Sequence, residues 1–513
     1  MKPPVLMLAV TALLWPLTAQ AGGTLVVCDG ESEPGTLDPM REFSEKNHTI
    51  LQQIYDGLVR FNPDGRVIEP ALAERWEKLE APRYGMRFFL RKGVAFHNGE
   101  PFTAEAVKFS IERYVDPDIR FPAASFLSHI KVQVVDDYTV DLVTVYPDGL
   151  LLHRLAGFVL IVPPKYVREN KDGVLDLKPI GTGAFRYDTR EPGKSIRLNA
   201  NREYWMGPQY PKLHTLVFRF LLIQEQVDLL LKEEVDLVTE LPGTLTRPVM
   251  ESAVALVQKR ETFWTIGALI NNVPPSPLAD LRVRRALNHA VDRADLIRYD
   301  VRGNGTILAS LTMEGQEGHN PDLEPYPYDP AEANRLLDDA GVKRPLILRT
   351  HVRAESERAA KIIASHLKKV GVILDMEVFN DARVIETLND PQEIWDFGIA
   401  GIPDPMCHSY FIQSVLLYSE SPYALLRDEE FDRRLIEMVS QRDPMELEQR
   451  ARELDKYVHD QALSLFTYQK IKTYGVRRHV RFTPYVSGMP YFFDVSIEPG
   501  VTDKLDPVLP SVR

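Results

Sequence analysis

The residue types that could do chemistry in this 513-residue chain are few and scattered. Met406-Cys407-His408 sets three soft metal ligands in a row. Neighbours in an extended chain point to opposite sides, so one ion cannot readily take all three. His97 has no second ligand at metal spacing and reads as a structural histidine. Gly181 and Gly183 suggest a phosphate loop, but position 186 is Arg where a dinucleotide fingerprint needs glycine, and a strand follows instead of a helix. They read better as a tight turn into a hairpin, Phe185–Tyr187 with Ser195–Ala200 around Pro192-Gly193. There is no G-x-S-x-G elbow, no H-E-x-x-H, no C-x-x-C and no complete P-loop. Triads assemble from distant residues, so an exported hydrolase stays open, but no catalytic residue can be named. Asp404, between Pro403 and Pro405, is a good turn residue.

The elements that must position any site belong to a large exported protein. A chain of this length exceeds what one hydrophobic core supports, so two or three lobes are expected. With 44% hydrophobic and 26% charged residues the chain is ordinary globular protein. Its net charge of −12 argues against nucleic acid or an anionic membrane as partner, because binding there rests on cationic surface. Lys2, the apolar run Val5 to Leu17 and the small-x-small site Ala19-Gln20-Ala21 read as a signal peptide, 1–21. That run is too short for a membrane span and contains Pro16. Cys28 follows Leu25-Val26-Val27 in a strand-like segment, unlike a lipoprotein cysteine. Cleavage after Ala21 and a periplasmic location are expected.

Phe88 to Arg113, FFLRKGVAFHNGEPFTAEAVKFSIER, is the densest stretch of structural signals. Phe88, Leu90, Val94 and Phe96 are the apolar positions of two short strands interrupted at Gly93, and Asn98-Gly99 is a turn pair. Thr103 is an N-cap candidate, Glu105 suits the helix dipole, and Val107, Ile111 and Tyr114 form one buried stripe before Pro117. Further on, Asp329-Pro330-Ala331-Glu332 is a capping box ahead of a helix ending at Gly341. A βαβ unit follows: strand 345–350, helix 354–370, strand 372–379.

The Phe88–Arg113 run resembles the signature of family 5 solute-binding proteins, the extracytoplasmic receptors of bacterial ABC importers for peptides, nickel and other solutes. One position departs from it, Ala106 standing where the family has Asp. Leu37-Asp38-Pro39, Tyr55-Asp56-Gly57-Leu58, the segments Asp280 to Asp292 and Met489 to Glu498 resemble further family landmarks in the same order. The resemblance implies an α/β, two-lobed periplasmic-binding-protein fold, type II-like and hinged. Lobe I would span 22–270 with an inserted subdomain at about 71–180, lobe II 271–484, and 485–513 would return to lobe I by a strand. The crossovers near Asn271 and Pro484 would form the hinge.

In peptide-binding members a strand like Phe397–Ile402 leads to an Asp that pairs with the peptide's α-ammonium, and Asp404 aligns with it. Gly401 stands where the family has an aromatic, and His408 where it has proline; either re-tunes the pocket. Phe43, in the loop after Leu37-Asp38-Pro39, is a first-lobe contact candidate. His351 and Arg353 leave the βαβ strand at a mouth that commonly faces ligand, where Arg353 either pairs a peptide carboxylate or is a loop arginine. Tyr485 either lines the cleft or packs. Some relatives bridge a cysteine at the position of Cys28, but the partner, near Val235, is missing, so Cys28 and Cys407 are expected as thiols. The implied function is a monomeric, cofactor-free receptor that binds a short peptide and delivers it to an ABC permease and ATPase complex. A non-peptide cargo (metal chelate, opine, oligosaccharide) and a ligand-sensing subunit remain open.

Overall fold

The computed structural model describes residues 22–380 and 393–498; the expected signal peptide lies outside the described residues. One sheet of eleven strands runs through the molecule. At one end Thr24–Cys28 pairs in parallel with Thr215–Arg219 and Leu237–Val238, and the hairpin Phe185–Glu191 and Ser195–Ala200 closes the edge. At the other end Leu346–Arg353 pairs in parallel with Val372–Phe379 and Phe397–Pro403, as the βαβ pattern predicts. The helix Glu357–Lys369 between them buries Ala359, Ile363 and Leu367 on the sheet. Among the described residues no helix is long and apolar enough to cross a membrane.

Two long strands join the halves. Ala255–Ile270 pairs through its first half with Tyr468–Arg477 and through Trp264–Ile270 with Phe397–Pro403. The register shifts between Glu261 and Thr265, where Phe263 donates instead to Val486 O at 2.7 Å. Tyr468–Arg477 continues into Leu237–Val238. The 270/271 boundary expected from the sequence therefore falls at the end of a strand whose last residues, Ile266, Ala268 and Ile270, already belong to the second core.

The Phe88–Arg113 segment folds largely as its residues dictate. Tyr84–Leu90 is the second strand of a separate four-stranded antiparallel sheet within the expected subdomain. Gly93 and Gly99 take φ of +76° and +86°. Val94 to Phe96 is not a second strand: Phe96 N bonds Glu100 O at 2.8 Å and Phe102 N bonds Val94 O at 2.9 Å, so the segment closes on itself around Asn98-Gly99. In the helix Ala104–Tyr114, Val107, Ile111 and Tyr114 are fully buried. Thr103 sits at the N-cap without bonding a helix amide. His97 is a structural histidine, its Nε2 2.9 Å from Gly183 O.

The C-terminal segment is not the strand that was expected. Only Ser496–Ile497 pairs, with Val480–Arg481. Met489 to Phe493 is irregular chain held by side chains of the helix Glu45–Ile54. Gln52 Nε2 donates to Met489 O and Pro490 O at 2.8 Å each, and Gln53 Oε1 accepts Phe492 N at 2.9 Å. Pro490 has no N–H for a ladder, which favours this arrangement.

Candidate functional site

A cavity of about 800 Å³ lies where the two halves of the sheet meet. One wall comes from the first half: Phe43 to Lys46 at the start of the helix Glu45–Ile54, with Phe126, Phe158 and the turn Glu240 to Thr244. The facing wall comes from the second half: Trp264, Arg302, His351, Arg353, the strand end Ala400–Pro403 and Phe411. The joining strand adds Lys470 to Thr473. The cavity floor is thus the ribbon of strands that joins the two halves.

The apolar part of the wall is aromatic and crosses between the halves. Phe158 packs on Phe43 (centroids 5.1 Å apart), Phe126 (5.4 Å) and Phe411 (5.8 Å). Beside the cavity the halves touch directly. The helix Leu151–Phe158 lies so close to the 404–408 loop that a Cβ on Gly157 would stand 2.7 Å from Pro405 O. Arg154, held by Asp148 at 2.9 Å, lies over the Tyr410 ring at 4.7 Å. The two halves are thus in direct contact beside the cavity.

The charged part is built from lysines and their carboxylates. Lys472 is almost fully buried and pairs with Glu45. Burial opposes its charge, but Glu45 and the acids around it outweigh that and hold the ammonium well above its ordinary value. Glu240 stands between Lys470 Nζ at 3.5 Å and Lys46 Nζ at 3.6 Å. Lys470 holds its carboxyl well below the usual range. Lys470 also lies 4.9 Å over the Trp264 ring.

Of the six residues singled out from sequence, Phe43, His351 and Arg353 line this cavity. Neither ring nitrogen of His351 has a hydrogen-bond partner. Burial lowers its pKa to about 4, so it is neutral at physiological pH. Arg353 lies over the Tyr423 ring at 5.6 Å. Asp404, His408 and Tyr485 are not among its lining residues. The Asp404 carboxylate is fully buried behind the wall, accepting Gln316 Nε2 at 2.6 Å and Met406 N at 2.8 Å. This is the turn use of an Asx side chain, which the flanking prolines favour. His408 is fully buried in the same loop, its Nδ1 taken by Tyr410 N at 3.0 Å. Tyr485 packs on Tyr491 at 5.8 Å. Cys28 and Cys407 are both free and buried, and burial pushes the Cys28 thiol up to about 12.

The sequence reading missed Trp264, Lys46, Lys470, Glu240 and Arg302. Gly401 explains the first. A Cβ there would collide with the Trp264 indole, so the aromatic absent from this strand is supplied by its neighbour. A signal for the lysines was present: Lys470 and Lys472 flank Ile471 at period two in the strand Tyr468–Arg477.

Two lobes joined by a strand ribbon, with a cleft between them, define the two-lobed periplasmic-binding-protein fold. Solved structures share it. A periplasmic binding protein DppA from Helicobacter pylori, in complex with the peptide STSA, superimposes with TM-score 0.80 at 24% identity, over 93% of this chain and 98% of that one. AgaA from A. tumefaciens R10, in complex with agropinic acid, does so with TM-score 0.80 at 23% identity, over 93% and 99%. The chain belongs to the bacterial extracellular solute-binding proteins, family 5, whose middle region matches residues 67–406. Among curated proteins, heme-binding protein A of Haemophilus influenzae is 28% identical over 393 residues, 69% of this chain and 70% of the relative. The dipeptide-binding protein of Escherichia coli is 28% identical over 389 residues, 68% and 70%.

Proposed function

We propose that this chain is the periplasmic receptor of an ABC importer, which closes around a short peptide or peptide-sized solute and presents it to a membrane permease without altering it. The observation that carries this reading is the cleft lined by both halves of the molecule. Its volume of about 800 Å³ suits a small molecule of peptide size. A ligand that touches both walls only when they meet shifts the open–closed equilibrium by that extra contact. The relatives support the role: proteins named for binding dipeptides and heme align with most of the chain. The register shift Glu261/Thr265, where the ribbon passes from one half-sheet to the other, supports a hinge there and in the adjoining part of Tyr468–Arg477, inward of Asn271 and Pro484. In the pocket, Phe43 and His351 give apolar and neutral contacts, and Arg353 meets a ligand carboxylate.

The non-peptide reading also has an observation behind it. Asp404, the expected ammonium partner, is enclosed away from the cavity. Small-angle scattering with and without a peptide mixture tests closure: the radius of gyration should fall on binding while circular dichroism stays unchanged. Mass spectrometry of co-purified ligand tests the cargo. Bound ligand with an unchanged radius would sink the lobe-closure reading.

A further inference from the structure

Every acidic side chain in the cavity wall is already committed. Glu45 pairs with Lys472, and Asp300 accepts the Tyr468 hydroxyl at 2.5 Å. Glu240 is shared by two lysines, and Glu355 is also partnered. Behind the wall, Asp29 is held by Thr239 Oγ1 at 2.5 Å. The basic side is in excess. Lys46 and Lys470 divide one carboxylate between them at 3.6 and 3.5 Å, so each ammonium keeps N–H donors to spare.

Arg302 faces them from the second lobe and has no acidic partner among the described residues. It sits in left-handed backbone, φ +54°, with its side chain against Gly243 of the turn that carries Glu240. A Cβ on Gly243 would stand 2.6 Å from the Arg302 Cβ, so the glycine lets the arginine in. The helix Glu45–Ile54 also begins at this wall, presenting the positive end of its dipole.

We propose that the ligand carries an anionic group, a carboxylate or a phosphate, bound between Lys46, Lys470 and Arg302 beside the Trp264 indole. The proposal rests on the cleft being the ligand site and specifies what that site selects. Lys46 and Arg302 are exposed and Lys470 is half-buried, so these cations stand at the solvent side of the cleft with one carboxylate between them, and a ligand anion supplies the charge they lack. Because Lys46 belongs to the first lobe and Arg302 to the second, the same anion ties the lobes together. An α-ammonium, by contrast, finds only Asp300 without a cation on it, and the Tyr468 hydroxyl already occupies one of its oxygens.

Calorimetry on the mature protein, freed of co-purified ligand, tests this with four probes: succinate, inorganic phosphate, N-acetyl-dialanine and its uncharged C-terminal amide. At least one anion should bind saturably and the amide should not. Which anion binds distinguishes a carboxylate from a phosphate source. Lys470→Gln and Arg302→Gln should each weaken that binding by about tenfold or more, with Lys46→Gln as a third variant and ligand-free circular dichroism reporting that each folds. Binding by none of the anions, equal binding of acid and amide, or wild-type affinity in all three variants would overturn the proposal. If the anions fail while a peptide mixture still contracts the protein in scattering, this proposal falls and the receptor reading stands. If an anion binds through these residues without contraction, the site stands and the closing receptor falls.

Discussion

Asp404 takes a carboxylate into an enclosure with no cation beside it. Burial pushes its carboxyl from the ordinary value up to about 7, against the opposing hydrogen bonds from Met406 and Gln316. The folded chain then holds this proton more tightly than the unfolded chain does. The stability it contributes is complete below about pH 4 and is lost as the pH rises through about 7. Asp404→Asn should flatten that slope, removing about 2–4 kcal/mol of pH-dependent stability between those limits. Urea denaturation across the range measures it, and parallel slopes in both proteins would refute it. The same variant should bind ligand within about twofold of wild type, since the group lies outside the cavity. The turn at Asp404 was legible from its two prolines. The direction of its carboxylate was not, because the partner Gln316 lies 88 positions away.

At the scale of elements, local patterns were readable and long-range ones were not. The stripe Val107, Ile111, Tyr114 and the alternating burial of Val372 and Leu374 with exposed Ile373 and Asp375 follow from periods of 3.6 and 2, while Val378 is exposed and Phe379 buried, against that period. That Ala255–Ile270 serves both lobes depends on pairing with residues more than a hundred positions away, which no local period records. The C-terminal segment teaches the same lesson. Met489 to Glu498 has strand composition, yet Gln52 and Gln53 of a distant helix take its backbone groups. Gln53→Leu should leave the Phe492 N–H unpaired and cost about 1–3 kcal/mol. Guanidinium unfolding of the variant gives the value, and an unchanged midpoint would mean that water replaces the amide. Of the cavity, sequence found the residues that leave strand ends, Phe43 apart. It missed those contributed by the strands that join the halves and by the turns facing them.

For the whole molecule, the tight approach of Gly157 to Pro405 is a control point between the lobes. A Cβ at 157 would stand 2.7 Å from the Pro405 carbonyl oxygen, a contact that the proposed opening would part. Gly157→Val should therefore favour opening, weakening ligand binding by about tenfold for each 1.4 kcal/mol of strain while the lobes themselves stay folded. Scattering should show a larger ligand-free radius; a wild-type radius and affinity would show that the helix simply yields. The aromatic wall has a thermal consequence. Phe43, Phe126, Phe158 and Phe411 share one apolar surface across the cleft, and opening wets it. Ligand binding by an open molecule should then carry a large negative heat-capacity change, visible as a binding enthalpy that steepens between about 10 and 35 °C. Most of that signal would come from the protein drying its own rings. A small, fully polar ligand should show nearly the same temperature dependence as an apolar one, and a flat enthalpy would mean that the rings stay dry in the unliganded state.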